Sequence, residues 1–335
     1  MGRRLIPGLE PPDPGLEADI RARLEEVEEA LRKAVVAESD LLAQTAPYLI
    51  EAGGKRFRPM LVLLAGHFGD PTDPRLIPGA VAIELVHAAT LYHDDVIDEA
   101  DSRHGVPSVN TRWSNTVAIL TGDYLFARAS EITSDLGAEV IALLARTIAT
   151  LCDGQIREVE ASGDVGHSLE AYLEIIRRKT GALIATSCRM GGMLSDAPPE
   201  HIALLEAYGD ALGTAFQLSD DIMDITSSAE ELGKEPGVDM REGVYTLPVL
   251  LALRRSPGGA ELAALLSDGP PTEARLARAL EIVRDRETLV EARAVVRAEV
   301  DRARSLAERL PAGPAASALV QLAEFLAVRC GAGRA

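Results

Sequence analysis

The chain has 335 residues, 47% of them hydrophobic and 4% aromatic, and a formal net charge of −18. So acidic a chain is a poor partner for nucleic acid or for an anionic membrane surface. Its three cysteines, Cys152, Cys188 and Cys330, are too widely spaced to indicate a disulfide framework or a zinc site. Because the sequence contains no signal-peptide pattern and no apolar run of membrane-spanning length, we expect a cytoplasmic protein with no integral membrane segment.

Helical periodicity dominates the chain and predicts an all-α fold. After a Pro-rich arm at residues 1–15, we expect a single domain over residues 16–333, because no long linker divides it. No stretch alternates apolar and polar residues as a strand does. Residues 226–245 are polar and Gly-rich and predict a mobile loop. The predicted helices cover residues 16–35, 39–53 with a kink at Pro47, 59–68, 78–99, 115–132, 136–160, 169–193 with Ser168 as N-cap, 198–224 and most of 246–333.

The loop at residues 53–59, GGKRFRP, is the first feature that predicts a function. It places Lys55, Arg56 and Arg58 beside two glycines and ahead of a helix N-terminus, where backbone donors and the helix dipole favour an anion. The alternative is a solvated basic loop.

An acidic cluster follows in residues 84–105, ELVHAATLYHDDVIDEADSRHG. Helical spacing puts Asp94 and Asp98 one turn apart on one face, with His87 two turns earlier on that face. Asp95 lies between them in the sequence. Because like charges at this spacing repel, we expect a cation to bind there.

A second cluster, Asp220, Asp221 and Asp224, ends another apolar helix in FQLSDDIMD. Mg²⁺ takes one or two carboxylates together with substrate phosphate oxygens, so two such clusters predict a diphosphate site with several ions. The predicted metal ligands are Asp94, Asp98, Asp220 and Asp224. A lone cluster of this kind is often a solvated helix end, and zinc is disfavoured because no thiolate accompanies the histidines nearby.

Five motifs now stand in order: GGKRFRP, the 84–105 stretch, RRKT at 177–180, FQLSDDIMD and GKEPGVDMREGVYTLP at 233–248. In this order they resemble the trans-isoprenyl diphosphate synthases, the polyprenyl synthetase family, over about residues 50–250. The resemblance implies a homodimer of isoprenoid-synthase-type helical bundles, each around a central cavity, with three Mg²⁺ ions when substrate is bound.

The resemblance also implies a role for each matched residue. The diphosphate of isopentenyl diphosphate would contact Lys55, Arg58 and His87, with His104 beside them. The allylic diphosphate would contact Arg103, Lys179, Thr180, Gln217 and Lys234. The catalytic set would be Asp94, Asp95, Asp98, Arg103, Lys179, Asp220, Asp221 and Asp224. The implied reaction is 1'-4 head-to-tail condensation, in which the released pyrophosphate takes the proton and no protein base is needed.

Two positions depart from the family pattern. His104 stands where the family usually has arginine, which replaces a permanent charge with a group only partly charged at neutral pH. We therefore expect weaker binding of isopentenyl diphosphate above neutral pH. Val244 stands where a lysine is common, and neither change touches the metal ligands.

Product length is predicted from the helix that precedes Asp94. Val86 and Thr90 lie two turns and one turn before it on the face where a growing chain would run, and Ala89 is adjacent. In the family an aromatic residue at position 89 or 90 stops the chain early, so these small side chains predict a product of geranylgeranyl length or longer. Alternatively, Ala89 only allows close packing of a neighbouring helix.

Three other functions are open to such a chain. A class I terpene cyclase shares the helical fold, but its second metal motif differs and the basic loop would be unexplained. A non-catalytic subunit of a heteromeric synthase would usually lose one aspartate cluster. A generic divalent-metal protein would bind Mg²⁺ or Ca²⁺ without any dependence on diphosphate.

Overall fold

The computed structural model describes residues 13–227, 236–254, 258–267, 269 and 271–333. Its regular structure is helical apart from one hairpin, in which β1 (Ser102–Arg103) pairs antiparallel with β2 (Val106–Pro107). A π-helical turn, Arg177–Gly181, joins two of the helices. The all-α prediction is therefore confirmed. The helices are α1 (Pro14–Ala34), α2 (Asp40–Thr45), α3 (Tyr48–Ala52), α4 (Phe57–Gly66), α5 (Leu76–Ile97), α6 (Val109–Arg112), α7 (Asn115–Ser134), α8 (Ala138–Ala161), α9 (Leu169–Ile176), α10 (Ala182–Leu194), α11 (Pro199–Thr226), α12 (Val238–Arg241), α13 (Leu247–Leu253), α14 (Gly258–Leu266), α15 (Glu273–Val283), α16 (Arg286–Ala307) and α17 (Pro314–Arg329).

The chain divides into two compact units. The first unit consists of the described parts of Met1–Ile148, Leu183–Glu206 and Leu310–Ala318. The second unit consists of the described parts of Ala149–Ala182, Ala207–Arg309 and Leu319–Ala335. The single domain over residues 16–333 stays a prediction, as does the central cavity.

Helix α5 is the central helix of the first unit. Thirteen of its 22 residues are buried, as expected of a helix that is apolar on nearly every side. It packs against α1, α4 and α7, and the approach of α7 is close because Gly122 has no side chain. A Cβ on Gly122 would lie 2.4 Å from the His93 Nε2 atom.

The buried Tyr92 of α5 fixes the segment ahead of the basic loop. Its hydroxyl donates to the Thr45 carbonyl oxygen (2.5 Å) and accepts from the Leu49 N–H group (3.2 Å). These bonds attach α2 and α3 to α5. The loop that follows α3 consequently starts from a fixed point.

Helices α16 and α17 and the second half of α11 form much of the second unit. Arg297 of α16 forms a bidentate ion pair with Glu324 of α17, at 2.6 and 2.9 Å. The buried Tyr208 of α11 donates its hydroxyl to the Leu319 carbonyl oxygen (2.8 Å). Such pairs give the long, Ala-rich helices a definite register.

Several predicted helix limits are confirmed and some features are new. Ser168 caps α9 by accepting from the Ala171 N–H group (3.1 Å), and the helix break at Pro47 separates α2 from α3. Helix α4 begins at Phe57 rather than at Pro59. The hairpin was not predicted, because strands of two residues are too short to show an alternating pattern.

The Gly-rich segment 226–245 is only partly described. Residues 228–235 lie outside the described residues, and α12 follows them at Val238–Arg241. The mobility of this segment stays a prediction.

Among the described residues, one helix is long and apolar enough to cross a membrane by length and composition alone. It is α5, and 67% of its most apolar window is buried inside the protein. That degree of burial is also what the central helix of a packed core has.

Candidate active site

The first aspartate cluster lies at the C-terminal end of α5. Asp98 closes the helix by donating its backbone N–H to the Asp94 carbonyl oxygen (2.8 Å), which places these two residues one turn apart as predicted. Asp94 is half-buried and Asp98 is exposed. A helix C-terminus is the negative end of the helix dipole, so two carboxylates there are unfavourable unless a cation joins them.

Asp95 has a different environment from the other two aspartates. Its side chain is completely buried, and its Oδ1 atom lies 2.7 Å from both the Nε and Nη2 atoms of Arg103. Burial raises the pKa of the Asp95 carboxyl, and Arg103 opposes that rise. The hairpin positions this pair, since Arg103 ends β1 and the hairpin follows α5 directly. The structure thus gives Asp95 a role in fixing Arg103, and its place in the catalytic set stays a prediction.

Arg56 organises the basic loop from within. It has left-handed backbone angles (φ 48°), and its guanidinium contacts Glu28 of α1 (2.5 Å), Glu84 of α5 (3.0 Å) and the Ile50 carbonyl oxygen (2.7 Å). Gly54 has a positive φ (155°), which residues other than glycine rarely adopt, and a Cβ there would lie 2.6 Å from the Arg56 Nη1 atom. Arg56 therefore acts as an internal brace that holds the loop on two helices.

The basic loop leads into Arg58 of α4, whose guanidinium is close to Glu84 and His87 of α5. The Arg58 Nε atom is buried and makes no hydrogen bond to any described residue. Burial raises the pKa of Glu84 even though Arg56 and Arg58 are close. Burial, followed by the charge of Arg58, lowers the pKa of His87 well below its usual value. A neutral His87 next to an incompletely bonded arginine leaves donors for an anion.

His104 lies at the turn between β1 and β2. It is exposed and has left-handed backbone angles (φ 52°), which histidine tolerates better than most residues. Loss of hydration lowers the pKa of His104, and the nearby charges of Arg103 and Arg56 lower it further. The structure therefore brings His104 to the same cations as His87. We call Arg56, Arg58, His87, Arg103 and His104 the basic cluster.

The second aspartate cluster lies in the last turns of α11. Asp220 is half-buried and forms an ion pair with Arg329 of α17, whereas Asp221 and Asp224 are buried. Burial, followed by the charge of Asp239, raises the pKa of Asp221 to about 7. The carboxylate of Asp221 is stabilised by two donors, the Tyr172 hydroxyl and the Gln217 amide (2.9 Å).

The π-helical turn Arg177–Gly181 lies beside this second cluster. Thr180 donates its hydroxyl to the Gln217 Oε1 atom (2.9 Å), and Lys179 forms an ion pair with Glu158 of α8. A Cβ on Gly154 of α8 would lie 2.8 Å from the Lys179 backbone nitrogen, so α8 approaches the turn closely. Widened turns of this kind occur often at functional sites, because they turn side chains away from their regular helical positions.

The remaining predicted residues are the two lysines of the loops and the three residues predicted to set product length. Lys55 is exposed on the basic loop, and Lys234 lies outside the described residues. Val86 and Ala89 are fully buried, while Thr90 is half-buried and donates its hydroxyl to the His87 carbonyl oxygen (2.8 Å). Only Thr90 of these three presents part of its side chain at the surface of the first unit.

The donors fit a hard divalent ion that shares its coordination with phosphate. Within the described ranges, no three His, Cys, Asp or Glu side chains converge enough to hold a metal by themselves. Mg²⁺ keeps several waters and binds through one or two carboxylates plus phosphate oxygens, so a preformed cage is not required. The Asp94 and Asp98 pair offers oxygen ligands of this kind.

Sequence reasoning missed three residues of the site. Arg56 was seen only as a cation, although it is the brace of the loop, and its partner Glu84 was not singled out at all. Tyr172 was also missed, although a lone tyrosine seven residues before Lys179 in an aromatic-poor chain was a usable signal.

Known proteins match this chain along nearly its whole length. The family model described as polyprenyl synthetase matches residues 39–283. The nonaprenyl diphosphate synthase of Mycobacterium tuberculosis is 40% identical over 329 residues, which cover 98% of either chain. Component 2 of the heptaprenyl diphosphate synthase of Geobacillus stearothermophilus is 41% identical over 305 residues, or 90% of this chain and 94% of that one.

A solved structure is similar over the same extent. It is the geranylgeranyl pyrophosphate synthase of Corynebacterium glutamicum, complexed with calcium and isoprenyl diphosphate. Its TM-score is 0.86 at 41% identity, and the match covers 97% of this chain and all of the other.

Proposed function

The chain belongs to the polyprenyl synthetase family, and we propose that it joins isopentenyl diphosphate head-to-tail (1'-4, trans) to an allylic diphosphate. It is a prenyltransferase of isoprenoid biosynthesis that makes medium- or long-chain products. One observation carries the proposal for its site: each aspartate cluster is bonded directly to residues predicted to hold a diphosphate. Asp95 is paired with Arg103, and Asp221 is joined through Gln217 to Thr180.

The residues of the chain divide the work of binding. Lys55, Arg58, neutral His87 and His104 would hold the diphosphate of isopentenyl diphosphate by charge and hydrogen bonds. Arg103, Lys179, Thr180, Gln217 and Lys234 would hold the allylic diphosphate. Both sets orient the substrates, so that the isopentenyl double bond faces the allylic carbon that loses its diphosphate.

The metal would be Mg²⁺, three ions in the loaded enzyme, held by Asp94, Asp98, Asp220 and Asp224. Bound there, Mg²⁺ would supply charge that neutralises the leaving diphosphate and favours cleavage of the carbon–oxygen bond. The double bond of isopentenyl diphosphate attacks the allylic cation, and the pyrophosphate that leaves takes the proton. Cations and oriented dipoles of the protein stabilise the charge that develops.

A product of geranylgeranyl length or longer follows from the small side chains before Asp94. Thr90 is the one of the three predicted residues with partial exposure, so it is the best placed to meet a growing chain. Ala89 and Val86 would set the width of the path that the growing chain takes beyond Thr90.

A homodimer is proposed from exposed apolar residues on two helices. Ile119 and Leu120 of α7 are 43% and 59% exposed, and Ile156 and Val159 of α8 are 59% and 56% exposed. Ile119 and Leu120 are adjacent in the sequence, and neighbouring exposed apolar side chains of this size are usually covered by a partner. Leu120→Asp should convert the dimer to a monomer in light scattering. Val290→Asp, at a site that is 57% exposed on α16, should leave the dimer intact.

The experiment that tests the function is an incubation with Mg²⁺, labelled isopentenyl diphosphate and one primer at a time. The primers are dimethylallyl, geranyl, farnesyl and geranylgeranyl diphosphate, and products are resolved by chain length. Elongated products support the proposal and give the product class. A cyclic hydrocarbon formed from an allylic diphosphate alone would instead identify a terpene cyclase.

A second function is favoured by one comparison, since a 41% identical relative is named as a component of a synthase. In that case the chain would be one subunit of a heteromeric enzyme. It would then bind diphosphate with Mg²⁺ in calorimetry but elongate no primer alone. Metal binding without any dependence on diphosphate would identify a generic metal-binding protein.

A further inference from the structure

Tyr172 of α9 is a buried residue with one well-defined polar contact. It is 5% exposed, and its hydroxyl donates to the Oδ2 atom of Asp221. An ionised carboxylate has no hydrogen to give, so in the ionised state of Asp221 the phenol is the donor and Asp221 accepts. The two residues are 49 positions apart in the sequence and belong to the same compact unit.

The same carboxylate is held from its other side. The Gln217 Nε2 atom donates to the Asp221 Oδ1 atom (2.9 Å). Because the amide nitrogen must face the carboxylate, the Gln217 Oε1 atom faces Thr180, whose hydroxyl donates to it (2.9 Å). Tyr172, Asp221, Gln217 and Thr180 thus form a chain of hydrogen bonds with a defined direction at each step.

This chain, which we call the tyrosine relay, fixes the two polar groups predicted to meet the allylic diphosphate. With one hydrogen of the Gln217 amide bound to Asp221, the second hydrogen has a fixed direction. The Thr180 hydroxyl is held on the π-helical turn at the same time. If Asp221 rotated, both groups would lose their orientation.

We propose that Tyr172 is a positioning residue for the allylic diphosphate, acting through Asp221 on Gln217 and Thr180. The proposal rests on the proposed function, since it names the substrate that benefits. It also gives Asp221 the role of an anchor, because each of its two oxygens accepts a hydrogen bond from a protein side chain. Positioning of this kind should affect one substrate and spare the other.

The variant that tests the proposal is Tyr172→Phe, which removes one hydroxyl and preserves the ring. Its matched control is Tyr208→Phe, because Tyr208 is also buried in the same unit but donates to a backbone carbonyl. Steady-state kinetics are measured for each substrate in turn, with thermal melting of both variants. Losing a hydrogen bond to a charged group should raise the KM for the allylic diphosphate about tenfold or more. The KM for isopentenyl diphosphate should change by less than about twofold in either variant.

A second measurement keeps the proposal testable if Tyr172→Phe is unstable. In a Gln217→Ala background, where the relay is already broken, Tyr172→Phe should raise the allylic KM by less than about twofold. Equal changes in both KM values, or full additivity with Gln217→Ala, would overturn the positioning role. No elongation by the wild-type chain would instead overturn the proposed function.

Discussion

Replacing His104 with arginine tests how the basic cluster binds its diphosphate. The pKa of His104 is lowered by loss of hydration and by Arg103 and Arg56, so the free protein holds it mostly neutral at neutral pH. His104→Arg adds a permanent charge. A unit charge about 4 Å from a phosphate oxygen contributes about 1 kcal/mol in water and more where water is excluded. Because His104 is exposed, the lower value applies, and it corresponds to about a fivefold lower KM for isopentenyl diphosphate.

The pH dependence of the lower KM in His104→Arg shows whether the added charge causes it. Because the pKa of His104 is lowered, the histidine is neutral above about pH 7 and the full difference should appear there, and the difference should shrink as the pH falls toward about pH 6 and His104 takes up a proton. Initial rates are measured over this range at constant ionic strength. His201→Arg, which adds the same charge to a chain of net charge −18, is the control and should leave the KM unchanged. An unchanged KM in His104→Arg would refute the reasoning.

Three further predictions follow from packing and charge. Ala89→Phe should shorten the product, and an unchanged product distribution in chromatography would refute the open path that the small side chains predict. Because burial lowers the pKa of His87, the unfolded state binds the proton first, so stability should fall below about pH 6.5 by up to about 1.4 kcal/mol per pH unit. His87→Gln should flatten that slope in denaturant titrations, and an unaltered slope would assign it to other groups. Gly191→Ala would place a Cβ 2.2 Å from the Val62 carbonyl oxygen and should cost about 2–3 kcal/mol in thermal unfolding, whereas Gly313→Ala, with open space around it, should be nearly neutral.

Much of the fold was predictable because helical periodicity is a local signal. The all-α class, the long helices and the cap at Ser168 all follow from residues within a few turns of one another. The π-helical turn was not predictable, because nothing in RRKTG distinguishes it from a regular helical turn. The turn lies where α8 approaches closely at Gly154, and such a tertiary contact is not visible in the local sequence.

The candidate site was predicted unevenly for a related reason. Spacing alone placed Asp94 and Asp98 one turn apart, and motif order identified the family. Helical spacing also predicts that Asp95 lies about 100° around the helix from Asp94, on the side of the core. It does not predict which residue Asp95 contacts there. The partner Arg103 depends on a hairpin of two-residue strands.

Contacts between distant parts of the chain were beyond sequence reasoning. Arg56 reaches Glu28, and Tyr172 reaches Asp221 across 49 positions. In the sequence, Arg56 looks like a surface charge and Tyr172 like an ordinary core aromatic residue. Their long-range contacts show that both hold residues of the site in place.

The central claim is that the aspartate clusters drive elongation of a prenyl chain. The most direct measurement compares elongation of farnesyl diphosphate by the wild type, Asp94→Ala, Asp220→Ala and the control Asp101→Ala, an exposed aspartate near the first cluster. All four proteins are first checked for equal melting. The account predicts a loss of about 10²–10³-fold in kcat for the first two variants and wild-type rates for the control. Elongation at the wild-type rate by folded Asp94→Ala would contradict it.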